Sequence, residues 1–261
     1  TTFNQSAMEN PEDATPVIGN HGPFTIESIP LKPLQEDTPV VAIDVSSIKV
    51  GETETGILCA LRGAIVWKTE NRYKYLRLGP FPFHITEENR KEIYNLLRRY
   101  YFETSEETSA PNLINMQTRM GNLLERWLQM GVSCSSYGSI ILWDGSLTAG
   151  TADSPVKAVS HLLEIARNRL NTVLAFSKAT NLRLLGHRLT DLLRESQPPY
   201  LLQINGFPVS SGPMFTLGNI YVAKLTRGVC SFRLDIDRKV PEERGIEAVG
   251  KLLVNDLLDS K

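Results

Sequence analysis

Two acidic residues each close an unbroken apolar run, Val40-Val41-Ala42-Ile43-Asp44 and Ser139-Ile140-Ile141-Leu142-Trp143-Asp144. Runs of this length, bounded by turn residues, read as strands buried on both faces. A carboxylate at the end of such a strand is costly unless something pairs it. Two at matching positions invite a shared cation, because hard divalent metals are held by carboxylate oxygens. The chemistry this suggests is metal-assisted attack at a phosphoryl group. Each aspartate also has a simpler reading: Asp44 as a turn cap through its side chain, Asp144-Gly145 as an ordinary Asp-Gly turn.

A third carboxylate is expected from a helix packed near those strand ends. Glu125, in Gly121-Asn122-Leu123-Leu124-Glu125-Arg126-Trp127, is the candidate. It lies one turn from Gly121, whose missing side chain would leave room beside it. The alternative is a surface glutamate paired with Arg126 or Gln129. Lys178 follows the buried run Thr172-Val173-Leu174-Ala175-Phe176 and could hold a scissile phosphate or replace a second cation as a point charge. Otherwise it is a solvated loop lysine.

The elements that must position these residues follow from periodicity. Residues 1–37 are polar, without an apolar face, and read as an extended arm; residues 38–261 form the domain. Strands are expected at 38–46, 55–67 and 72–79, the last stopping at Gly79-Pro80, with short connections that make an antiparallel meander. A helix capped by Thr86 runs to about Phe102, and a second spans 111–130 until Gly131. A strand at 137–143 precedes a helix with Pro155 at its first position, running to Leu170. Strand 172–176, a weak helix near 187–195, strands near 200–204, 219–225 and 229–236, and a closing helix over 242–258 complete the chain. Three meander strands, then helices, strand, helix and strand are the pattern of a ribonuclease H-like α/β fold: a mixed sheet of an antiparallel triplet plus parallel strands, flanked by helices. Its first and fourth strands lie side by side, which would bring Asp44 and Asp144 together.

Composition sets the outer bounds. Of 261 residues, 41% are hydrophobic and 22% charged, ordinary for a globular protein. No apolar run approaches the ~20 residues that span a bilayer, and no secretory signal opens the chain. Cys59, Cys134 and Cys230 match neither a zinc spacing nor a disulfide framework, so a reducing cytoplasm is expected. The net charge is −1, but Arg62, Lys68, Arg72, Lys74 and Arg77 cluster with Tyr73 and Tyr75, opposed only by Glu70. That interleaving suits a groove for single-stranded nucleic acid; it equally suits the charged face of an edge strand. The phosphate cradles of nucleotide-binding folds and the His-Glu-x-x-His zinc motif are absent. His21, His84, His161 and His187 are scattered, and Gly131-Val132-Ser133-Cys134-Ser135 lacks the second glycine of a nucleophile elbow.

Ala42-Ile43-Asp44 with a serine two residues on, the helix carrying Glu125, Asp144-Gly145-Ser146-Leu147 and Ser177-Lys178 together resemble the NurA nuclease family. The later strands Ile220–Leu225 and Phe232–Asp235 are similar to that family's core, so the resemblance spans about residues 38–236. It implies a ribonuclease H-like homodimer that cleaves DNA with manganese (or magnesium), as a 5′-to-3′ exonuclease and a single-strand endonuclease. It also implies work with a HerA-type hexameric translocase at double-strand break ends. Carried over by position, Asp44, Glu125 and Asp144 become the metal-binding carboxylates and Lys178 the basic residue after the fifth strand. The family pattern also has a Tyr-Pro segment followed by Ala-His near the C-terminus, and neither pair occurs here after residue 187. Tyr221 matches a core strand position instead. The rival readings are a catalytically impaired DNA-binding or adaptor subunit on the same fold, and a nuclease acting on RNA or hybrids.

Overall fold

Strand alternation is clearest at residues 58–66, where Cys59, Leu61, Gly63 and Ile65 are buried while Leu58, Arg62 and Val66 are exposed. One face of a sheet is therefore packed there and the other open. The computed structural model describes residues 25–254, apart from 71, 179, 181, 185–186, 192–196, 206–209, 212–213 and 229.

Nine strands form one mixed sheet: β1 (Thr25–Pro30), β2 (Val40–Glu52), β3 (Gly56–Thr69), β4 (Arg72–Thr86), β5 (Ile140–Asp144), β6 (Thr172–Ser177), β7 (Tyr200–Asn205), β8 (Gly218–Lys224) and β9 (Phe232–Asp237). Their spatial order is β1-β7-β8-β9-β6-β5-β2-β3-β4. The β2-β3-β4 meander is antiparallel, and β5 runs parallel to both β2 and β6. This is the mixed α/β sheet expected from the element order.

Four helices flank it: α1 (Arg90–Phe102), α2 (Leu113–Ser135), α3 (Val156–Asn168) and α4 (Glu242–Leu252). Helix α2 starts where the Asn112 side chain accepts a bond from Asn115 N at 2.9 Å. It buries Met116, Met120, Leu123, Leu124, Leu128 and Val132 against β2 and β3. Helix α4 packs on the opposite face, with Ala248, Val249 and Leu252 joining Leu174, Leu234 and Ile236.

Several boundaries differ from expectation. Thr25–Pro30, read as part of an arm, alternates weakly yet pairs antiparallel with β7 at the sheet edge. Strand β2 does not stop at Ser46, because pairing with β3 carries it to Glu52. Strand β4 passes Gly79-Pro80 through a bulge opposite Leu61–Gly63 and ends at Thr86. Thr86 thus caps no helix; it exchanges bonds with Asn89, which takes the N-cap position of α1. Gly131 does not end α2, since Val132 and Ser133 beyond it are buried while Gly131 faces open space. The weak helix near 187–195 is a two-residue strand, His187–Arg188, and a 3-10 turn, Leu189–Asp191, its remainder lying mostly outside the described residues. Strand β9 begins only at Phe232, and α4 ends at Leu252 with Leu253 and Val254 in a turn, the later residues expected in it lying outside the described ones. Among the described residues no helix is long and apolar enough to cross a membrane.

Candidate active site

The parallel register pairs Val40 with Ile140 and Ile43 with Trp143. One step further, Asp44 and Asp144 stand side by side, about 4.8 Å apart in strand spacing. Asp44 is not at the end of its strand, as the sequence suggested; it sits where β5 ends and β2 continues beside β3. Side chains alternate along a strand. Asp44 therefore shares a face with Val40 and Ala42, and Asp144 with Ile140 and Leu142, which is the α4 face of the sheet. Both aspartates are exposed.

Asp144 is held by its loop. Gly145 adopts φ +113°, a conformation that glycine alone adopts readily, and its N–H donates to Phe176 O at 2.8 Å. Two residues on, Leu147 N donates to Asp235 Oδ2 at 3.0 Å, and Leu217 N to Leu147 O at 2.8 Å. Asp235 is fully buried, gripped by Arg233 through bonds of 2.6 and 2.7 Å. Burial pushes the Asp235 carboxyl up, while Arg233 and the Leu147 amide oppose that rise. Sequence reading placed Arg233 and Asp235 in a core strand and missed this brace. The signal was available: opposite charges two apart in an apolar strand share one buried face.

Lys178 Nζ lies 3.5 Å from Asp144 Oδ2, both groups being well exposed. Asp44, Asp144 and Lys178 line one groove of about 410 Å³, floored by Leu142, Phe176, Phe232 and Leu252.

Glu125 reaches this region from the other side of the sheet. Helix α2 lies over Val45 and Ser47 of β2, and Arg126 stacks over the Trp143 ring at 5.4 Å. Gly121 faces β2 rather than Glu125, and a Cβ there would meet Ser47 at an ordinary 3.5 Å, so the glycine does not provide the room beside Glu125 that the sequence suggested. Glu125 is half-buried and accepts from Gln129 Nε2 at 3.0 Å, while Gln129 accepts from Arg126 at 2.7 Å. The pairing with Gln129 exists, yet Glu125 is not a plain surface glutamate. Burial first, then the charges of Asp144 and Asp44, hold its pKa up at about 6 against the lowering pull of Arg126.

Among the described residues no three His, Cys, Asp or Glu side chains converge closely enough to enclose an ion. The donor set itself suits a hard divalent cation: oxygen ligands only, in a region whose negative charges repel one another.

The coordinates resemble the crystal structure of the NurA nuclease from Sulfolobus solfataricus, with a TM-score of 0.51 and 16% identity over 88% of this chain and 76% of that one. This chain shares the NurA fold. Endonuclease V from Bacillus subtilis is a looser match, with a TM-score of 0.39 and 11% identity over 89% of this chain and 78% of that one. No protein-family model matches the sequence, and no curated protein matches it at significance.

Proposed function

We propose that this protein is a metal-dependent deoxyribonuclease. The observation that carries the reading is the adjacency of Asp44 and Asp144 on one sheet face, in one groove with Lys178. Asp44 and Asp144 would hold manganese or magnesium, with Glu125 as the third carboxylate. A bound divalent ion would supply Lewis acidity, making water a stronger nucleophile and stabilising the leaving oxygen. Lys178, 3.5 Å from Asp144, would supply a positive charge for the scissile phosphate. Gly145, Leu147 and Asp235 keep the Asp144 loop in place.

The sequence resemblance supports a finer reading: 5′-to-3′ exonuclease and single-strand endonuclease activity, as a homodimer working with a HerA-like hexameric translocase on broken DNA ends. Two observations favour a second reading, a non-catalytic DNA-binding subunit. Lys178 already pairs Asp144, and the carboxylates stop short of a ligand cage.

End-labelled DNA incubated with manganese separates these readings. The wild type should cut, and Asp44→Asn and Asp144→Asn should each abolish cutting while melting like the wild type. Undiminished cleavage by either variant removes the assignment, and binding without cutting by the wild type selects the second reading.

A further inference from the structure

The face that carries Asp44 extends beyond the groove. Register rows cross β2, β3 and β4 as Asp44–Ala64–Arg77, Ala42–Val66–Tyr75 and Val40–Lys68–Tyr73, with Arg62 opposite Ser46. Helices α1 and α2 pack on the other face of these strands, and α4 packs on β6. Among the described residues no helix covers the near face of β4, and its aromatic residues stand in solvent: Tyr73 is 52% and Tyr75 70% exposed, although Val40 and Lys68 in the same rows are buried. The Arg77 guanidinium lies over the Tyr75 ring at 5.3 Å. In the rows from Val40 to Ser46 the single acidic residue is Asp44, and Arg62 and Arg77 are the exposed cations between the rings and the candidate site.

Charges, a proline and a bulge on β4 also guard a sheet edge, but that role does not call for two neighbouring exposed rings. Here β4 sends Tyr73, Tyr75 and Arg77 to the open face and Arg72 and Lys74 to the opposite one. Two neighbouring rings with Arg77 and Arg62 beside them on an exposed sheet face match bases that stack and phosphates that are neutralised. Tyr73 and Tyr75 are two residues apart along the strand, about 7 Å, room for one base on each. Arg77 is two strands from Asp44, about 10 Å.

We propose that this open face is a track for single-stranded DNA, with bases stacked on Tyr73 and Tyr75 and phosphates met by Arg62 and Arg77, delivering the strand to Asp44 and Asp144. The proposal rests on the nuclease reading for its direction, and the binding it describes is measurable without cleavage.

The test is fluorescence anisotropy with labelled oligothymidylate in EDTA, across a salt series. Tyr73→Ala and Tyr75→Ala should each weaken binding about five- to hundredfold without altering the salt dependence, and Tyr75→Phe should bind like the wild type. Arg62→Ala and Arg77→Ala should each flatten the slope of log affinity against log salt by about 0.7. Wild-type affinity in both tyrosine-to-alanine variants overturns the proposal, as does an equal loss in Tyr75→Phe and Tyr75→Ala. It is also overturned if sedimentation shows a DNA-free dimer that Tyr75→Ala dissociates, because a second copy would then occupy the face. Tyrosine-dependent binding in a protein that never cuts would sink the nuclease reading and leave the track standing. Asp44-dependent cutting with tyrosine-independent binding would do the reverse.

Discussion

Replacing Glu125 with glutamine removes a charge that the fold holds at a disadvantage. The carboxyl is half-buried and lies in the field of Asp44 and Asp144, so its pKa rises from 4.5 to about 6. At 1.36 kcal/mol per decade, that rise corresponds to about 2 kcal/mol. The folded chain keeps this proton more tightly than the unfolded chain, so folding loses stability as pH climbs from 4.5 to 6. Glu125→Gln abolishes the loss and keeps an oxygen for the Gln129 bond. The variant should be more stable than the wild type by up to about 2 kcal/mol at pH 7.5, with the gain vanishing near pH 4. Urea denaturation at the two pH values measures it directly. Equal stability at pH 7.5, or a gain that ignores pH, would refute the reasoning about crowded carboxylates. If the carboxylates hold metal, added manganese should stabilise the wild type more than Glu125→Gln and narrow the difference between them.

Asp235→Ala strands the buried Arg233 guanidinium and the Leu147 amide, and should cost about 3–5 kcal/mol in chemical denaturation. A loss below about 1 kcal/mol would mean the brace is not holding the loop. Lys178→Ala removes an exposed ion pair, so stability should stay within about 0.5 kcal/mol while cleavage falls, and a large stability loss would contradict the placement of Lys178. Gly56→Ala places a Cβ 2.0 Å from the Ile85 carbonyl oxygen and should destabilise the β3–β4 pairing by more than about 2 kcal/mol, whereas Gly121→Ala meets Ser47 at an ordinary 3.5 Å and should gain up to about 1 kcal/mol of helix propensity. Thermal melts showing the reverse order would contradict the packing of α2 on β2.

The strands and helices that carry apolar periodicity were legible in the sequence, and with them the side-by-side placement of Asp44 and Asp144. What was not legible arises where pairing, not composition, decides. Ser46 and Ser47 are weak strand formers, yet β2 continues through them because β3 lies alongside. Residues 25–30 lack a strong alternation and become a strand because β7 offers an edge. Gly131 looked like a helix stop, but buried Val132 and Ser133 beyond it hold α2 together. Glu125 was identifiable as a candidate, but its approach from the opposite face of the sheet depends on helix packing that one-dimensional spacing does not encode. The basic and aromatic stretch after residue 61 was visible, while the sorting of its residues onto two faces needed the register of β3 and β4.

The most direct measurement is a manganese titration followed by electron paramagnetic resonance, comparing the wild type with Asp44→Asn and Asp144→Asn. The proposed metal site implies stoichiometric binding by the wild type and at least about tenfold weaker binding by each variant, since even the outer-shell partners of a ligand are worth that much. Wild-type affinity in either variant, or no manganese binding at all, would contradict it.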